Sequence, residues 1–283
     1  MFLFLNGNIL KSEEVRISPF DRGFQFSDGV YEVIRYYPKK FFELESHLTR
    51  LKYSLSEMRI FIPDLSGIEN SLLELIELNG IAGEESIAYI QITRGTQYPR
   101  KHSYADSTEP TFFMTVEKFP SKKNEMQNGI KAGLEEDIRW HRCDIKSTAL
   151  IANVMSSRNA AEKGFTEIIY HRNGFITEGA HTNVCVITGD TVITPPLSNF
   201  ILPGITRKLV LEICAESGIT YFEKNISVDE LKRSDEILIL GTTTEITPVI
   251  EIDGEKIGNG KPGPLCKKLQ QEYQKLFLSN NNR

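Results

Sequence analysis

Glu135-Glu136-Asp137-Ile138-Arg139-Trp140-His141-Arg142-Cys143-Asp144-Ile145-Lys146-Ser147 is the stretch on which the rest of the chain turns. A few apolar residues sit among many charges, and the stretch closes on one lysine followed by Ser147-Thr148 and a helix-like run. A lysine at the end of an extended segment can reach into a site while a rigid element holds its backbone. Burial or crowding by cations makes it lose its proton more easily, so that it can act as nucleophile and base. The plainer alternative is a solvated charged strand, so Lys146 needs support from elsewhere in the chain.

The totals narrow the field. At 283 residues the chain has room for two domains or one large one. Apolar residues at 40% and charged residues at 25% are ordinary for a globular protein. The net charge of -5, from 33 basic and 38 acidic residues, argues against a nucleic-acid binder working by general electrostatics, and a local anion pocket stays open. Cys143, Cys185, Cys214 and Cys266 lie far apart with no CxxC pair, which suits reduced thiols better than a disulfide frame or a zinc site. The start has no basic leader and no apolar run approaches a membrane span, so a cytoplasmic protein is expected.

Patterning along the chain predicts a mixed architecture. Phe2 to Leu5, Asn6-Gly7 and Ile9-Leu10 form a hairpin pattern, and Ser18 to Gly23 a turn. From Val30 the alternation of Val30, Glu32, Ile34 and Tyr36 against Tyr31, Val33 and Arg35 predicts a strand. Ser46 is expected to cap a helix with the stripe Leu48, Leu51, Leu55 and Met58, leaving Arg50 off the stripe and facing a neighbouring cavity. A second helix after Ser66 turns Ile68, Leu72, Leu73 and Ile76 inward and stops at Asn79-Gly80. Ile87 to Thr93 and Phe112 to Val116 are strands, with the polar loop Arg94 to His102 between. Pro120 to Gly129 has the composition of a linker. Beyond it come a strand at Ile130 to Glu136, a helix at Thr148 to Lys163 and several short strands. A helix opening at Gly204 follows, then a capping box at Ser227 to Glu230, a strand at Glu236 to Leu240 and a closing helix from Pro262. The expected fold is α+β, divided as a small domain 1–119, a linker 120–129 and a larger domain 130–283.

Two segments suit an anion. Gly204-Ile205-Thr206 opens a helix whose first N–H groups have no internal acceptor, and Gly241-Thr242-Thr243 offers hydroxyls and backbone donors after a strand. Arg50 could complete the neutralisation. Thr177-Glu178-Gly179 puts a carboxylate at a tight turn, where it could keep a heteroaromatic nitrogen protonated or simply face water.

Asp21 to Val33, Thr177-Glu178-Gly179 with Asn183-Val184, Gly204 to Arg207 and Thr243 to Val249 together resemble the signature of the class IV (fold type IV) pyridoxal-phosphate aminotransferases. Within that family the chain is most similar to the bacterial D-amino-acid transaminases, through Glu136 to Trp140, Arg142 to Ser147 and Glu245 to Gly254. The resemblance implies two domains, the C-terminal one a pseudo-barrel of strands with flanking helices. It implies transamination between a D-amino acid and a 2-oxo acid, of the D-alanine and 2-oxoglutarate type. Lys146 would hold pyridoxal 5'-phosphate as an internal aldimine and shuttle the Cα proton on the way to a ketimine. Glu178 would pair with the pyridine nitrogen, and Arg50, Ile205, Thr206 and Thr242 would bind the phosphate. Tyr31 would lie on the substrate side. Arg100 and His102 match an Arg-x-His pair that traps the substrate carboxylate from the partner subunit, which makes a homodimer part of the site. No metal, nucleic acid or membrane is implied.

Some positions depart from that pattern. Ala180-His181-Thr182 replaces a run of small serines, Gly241 replaces a serine, His141 replaces an apolar residue, and extra residues precede the Arg100-x-His102 pair. His181 is expected to be structural, and His47 and His171 to lie at the surface. The alternatives on the same fold are a branched-chain L-amino-acid aminotransferase and an aminodeoxychorismate lyase; a catalytically silent binding protein is a third.

Overall fold

The computed structural model describes residues 1–60, 65–105 and 108–279. The chain forms two compact units, one from residues 1–120 with 145–150, the other from 121–144 with 151–283. The expected division differs in two ways. Residues 145–150, with Lys146, group with the first unit although they follow the first strand of the second. The expected linker 120–129 contains a short helix, Lys123–Asn128, anchored by Met126, which is buried.

In the first unit, β1 (Phe2–Leu5) and β2 (Asn8–Lys11) form the expected hairpin. Asn6 (φ 49°) and Gly7 (φ 86°) both take the positive φ that a two-residue turn of this twist requires. A one-and-a-half-turn helix that patterning did not anticipate, α1 (Arg22–Phe26), is capped by the Asp21 carboxylate on the Gly23 N–H (2.7 Å). It leads into β3 (Gly29–Tyr37) and the short β4 (Lys40–Phe41). Then come α2 (Leu44–Glu57), α3 (Ile68–Leu78), β5 (Ser86–Thr93) and β6 (Thr111–Lys118). The six strands run antiparallel in the order β2-β1-β6-β5-β3-β4. Leu48, Leu51 and Leu55 of α2 and Leu72, Leu75 and Ile76 of α3 join Val30, Ile34, Ile90 and Met114 in the core. Ser46 does not cap α2. The helix begins three residues earlier than such a cap would set it, after Glu43 in a left-handed conformation (φ 54°), and the Ser46 hydroxyl bonds the Glu43 carboxylate instead. Leu73 is half-buried, and Leu75 takes the inward position.

In the second unit, α4 (Lys123–Asn128) precedes β7 (Ile130–Glu136), and α5 (Ile151–Lys163) leads to β8 (Glu167–Arg172). β9 (Phe175–Gly179), β10 (Asn183–Thr188) and β11 (Thr191–Thr194) follow in quick succession. α6 (Ile205–Glu216), β12 (Thr220–Glu223) and α7 (Val228–Arg233) come next, α7 starting on the predicted Ser227–Glu230 capping box. β13 (Glu236–Gly241), β14 (Glu245–Ile252), β15 (Glu255–Lys256) and α8 (Pro264–Ser279) complete it. The strands order as β12-β11-β10-β13-β14-β7-β8-β9, with β15 on β14. Only Ala180-His181-Thr182 separate β9, at one end of this path, from β10, third from the other. A flat sheet of that width could not be bridged by three residues, so the sheet curls, as the pseudo-barrel expectation required. Its interior holds Ile169, Val184, Val186, Ile237, Ile239 and Val249.

Candidate active site

Lys146 lies beside β3. The Tyr31 N–H donates to the Lys146 carbonyl (3.0 Å), Val30 and Ser147 form an isolated bridge, and the Lys146 N–H donates to the Ser54 hydroxyl of α2 (3.1 Å). Its backbone is therefore fixed from two sides, and the half-buried side chain carries Nζ to 4.5 Å from the Tyr31 ring centroid, within cation–π range. Among the described residues no carboxylate pairs with Nζ.

Below Tyr31 the same unit buries an ionic cluster. Glu32 is fully buried because it alternates with Val30 and Ile34 on the core face of β3. A carboxylate there must be compensated. Arg50 of α2 reaches it with two donors, Nε to Oε1 (2.7 Å) and Nη2 to Oε2 (2.9 Å), and His47, one turn earlier, places Nδ1 2.7 Å from Oε2. Burial alone would raise the Glu32 pKa, but the charge and hydrogen bonds of Arg50, with His47, hold it well below the usual carboxylate range. Burial lowers the His47 pKa, so its neutral ring donates from Nδ1. Two expectations change here. His47 is not a surface residue but 1% exposed, and Arg50 does not simply face a cavity, since its fork is engaged by Glu32. His171 is half-buried, with Nδ1 3.1 Å from Glu136.

Arg100 and His102 stand on an exposed loop of the first unit, against Phe26 of α1. The Arg100 Cζ is 4.2 Å from that ring's centroid and the His102 ring 5.4 Å.

In the second unit Glu178, at the end of β9, is 4% exposed. Its Oε1 accepts from Arg139 Nη1 (2.6 Å), and its Oε2 accepts from Asn183 Nδ2 (3.0 Å) and the Leu202 N–H (3.0 Å). Arg139 gives its Nε and Nη2 to Asp137 (2.9 and 2.8 Å), which also takes Arg172 (3.1 Å). Glu178 thus receives one nitrogen of an arginine already engaged by another carboxylate. Burial pushes its pKa up to about 7 despite Arg139, and Asp137 adds to the rise.

The α6 start lies close by in sequence and structure. A Cβ on Gly204 would collide with Asn183 Oδ1, so this glycine also makes room for the side chain that orients Glu178. No side chain caps α6, and Ile205 and Thr206 sit buried at its opening. Thr242 is half-buried in the turn after β13. A Cβ on Gly241 would come 2.9 Å from Thr244 Oγ1, and that buried hydroxyl has no partner among the described residues. A neighbouring hydroxyl therefore presses on the place of the expected serine. His181, 54% exposed by its side chain, lies 3.7 Å from Glu167, whose buried carboxylate holds the Ala180 N–H and the Thr182 hydroxyl.

Comparison with known proteins gives these groups a context. The model of the family "Amino-transferase class IV" matches residues 29–252. A D-alanine aminotransferase of Bacillus licheniformis is 42% identical over 99% of this chain and 98% of its own. The Escherichia coli branched-chain amino acid aminotransferase has the same fold (TM-score 0.90, 23% identity, 98% and 94% coverage). So does a hypothetical aminotransferase from Mycobacterium tuberculosis in its PLP-bound form (TM-score 0.85, 20% identity, 99% and 100% coverage).

Proposed function

The chain belongs to the class IV amino-transferases, and on that premise we propose that it moves the amino group of a D-amino acid to a 2-oxo acid, as from D-alanine to 2-oxoglutarate. The cofactor is pyridoxal 5'-phosphate, which when bound supplies an electron sink for the Cα–H electrons. The residues present suit that group. Among the described residues Glu178 is short of positive charge, no side chain caps the α6 start, the Thr244 hydroxyl has no partner, and no carboxylate pairs with the Lys146 amine.

The charge shortfall at Glu178 carries this reading. Burial penalises the ionised form of Glu178 and raises its pKa to about 7; a protonated ring nitrogen beside it would offset that penalty, and the carboxylate would keep the proton on the ring. Lys146 Nζ would hold the cofactor and, as a free amine, would serve as the base that moves the Cα proton. Arg50, Ile205, Thr206 and Thr242 bind the phosphate, and Glu32 keeps the Arg50 fork oriented for it. Tyr31 lies on the substrate side, with Lys146 against its ring. Arg100 and His102 receive the substrate carboxylate and come from a second copy of the chain, in a homodimer. Four free, buried cysteines suit a cytoplasmic location.

Incubating the purified protein with 2-oxoglutarate and either D-alanine or L-leucine tests the stereochemistry. D-alanine should yield pyruvate and D-glutamate; turnover of L-leucine alone would overturn the reading. Mixing Lys146→Ala with Arg100→Ala protomers should recover activity, because one site of the mixed dimer regains both residues.

A further inference from the structure

The exposed loop bearing Arg100 and His102 is fastened by its backbone to a buried ionic group that the proposed chemistry does not use. Arg22, 4% exposed, donates from Nη1 to the Lys101 carbonyl (2.7 Å) and from Nη2 to the His102 carbonyl (3.0 Å). Its Nε bonds Asp28 Oδ2 (2.8 Å). Asp28 also takes a second guanidinium, Arg94, on both oxygens (2.8 and 3.0 Å), and Arg94 donates onward to the Met58 and Arg59 carbonyls (2.6 and 2.9 Å). The Arg94 Cζ lies 3.6 Å from the Tyr104 ring centroid, and the Arg22 Cζ lies 5.8 Å from it. Phe26 has the Arg22 Cζ at 4.7 Å and the Arg100 Cζ at 4.2 Å.

Two desolvated arginines on one carboxylate are a costly way to stabilise a turn. The arrangement makes sense if the backbone they hold must be held. Arg100 and His102 are exposed, so burial does not restrict their rotamers, and a long side chain on a free loop loses much of its binding energy to ordering. Fixing the carbonyls of 101 and 102 fixes both peptide planes that flank His102 and anchors the backbone one residue beyond Arg100, whose guanidinium shares the Phe26 ring with Arg22. Phe26 then gives both a common surface.

We propose that Arg22, seated on Asp28 beside Arg94, is a positioning residue that presets Arg100 and His102 as the receptor for the substrate carboxylate, with Phe26 as their shelf. The proposal rests on the carboxylate role of Arg100 and His102 given above. It differs from a purely structural role in its kinetic signature, because a loosened receptor weakens carboxylate binding and spares the proton transfer at Lys146.

Arg22→Lys keeps the charge opposite Asp28 but removes the planar fork that reaches two carbonyls. The KM for D-alanine should rise about tenfold, as should the Kd for D-lactate by calorimetry, since D-lactate carries the carboxylate and no amine; kcat should stay within about twofold. Tyr104→Leu, at a partly exposed side chain, should raise both constants about threefold and leave the domain folded. If Arg22→Lys keeps its Tm and both constants while Arg100→Ala raises them, the positioning role is wrong and the carboxylate role stands. If Arg100→Ala changes neither constant, the carboxylate role fails and this inference with it. Should Arg22→Lys fail to fold, Tyr104→Leu decides: a rise supports the proposal, and unchanged constants overturn it.

Discussion

Two buried glutamates, each paired with an arginine, are driven in opposite directions. Glu32 in the first unit lies well below the ordinary carboxylate range, whereas Glu178 in the second is pushed up to about 7. Burial is equally severe at both, so partner geometry makes the difference. Arg50 gives Glu32 two donors and His47 adds a third contact. Arg139 gives its paired donors to Asp137 and only one nitrogen to Glu178. The first cluster is closed and orients Arg50. The second leaves the charge deficit that the proposed ring N–H would fill. A buried salt bridge is therefore not one kind of object: the fork's second nitrogen decides whether a carboxylate is finished or poised.

Four changes would break or sharpen this contrast. Lys146→Ala, beside the closed cluster, should cut transamination by about a thousandfold or more at unchanged Tm; retained turnover would remove the amine from the mechanism. Glu32→Ala strands Arg50 without its counter-charge and His47 without its acceptor, and should cost about 3–5 kcal/mol in denaturant unfolding. Glu178→Gln should cost about 1 kcal/mol or less at pH 7, because the site is already half-way to neutral, yet lower kcat about a hundredfold; a larger stability loss than Glu32→Ala would reverse the contrast. The smallest effect is in pH. Glu178 binds a proton up to about pH 7 when folded and up to its ordinary 4.5 when unfolded, so its contribution is complete below 4.5 and is lost as pH rises through 7. The Tm of cofactor-free protein should thus fall between pH 5 and about 8, and that slope should vanish in Glu178→Gln. Glu32 has the opposite sign: its stability is present above its ordinary 4.5 and is lost only in acid.

Much was legible in one dimension because it depends on neighbours in sequence. The Asn6-Gly7 turn, the α2 stripe and the Ser227–Glu230 capping box are local devices, and each appears where patterning put it. The Glu32 cluster leaves only a faint trace in the sequence: a carboxylate in register with Val30 and Ile34 must meet a cation, and Arg50, with His47 one turn before it, supplies one. The Arg139 link to Glu178 had no such trace, because 39 residues separate the two.

The order of residues by itself determined the strand and helix periods, which follow from spacing, and it carried the family motifs whose resemblance implied the candidates Lys146 and Glu178. Only the folded chain decided that residues 145–150 rejoin the first unit, that Gly204 makes way for Asn183, that His47 is buried, and that Arg22 grips the loop of Arg100. The physical reason is that charge balance and steric room belong to positions in space, and a sequence specifies those only through the packing of everything else.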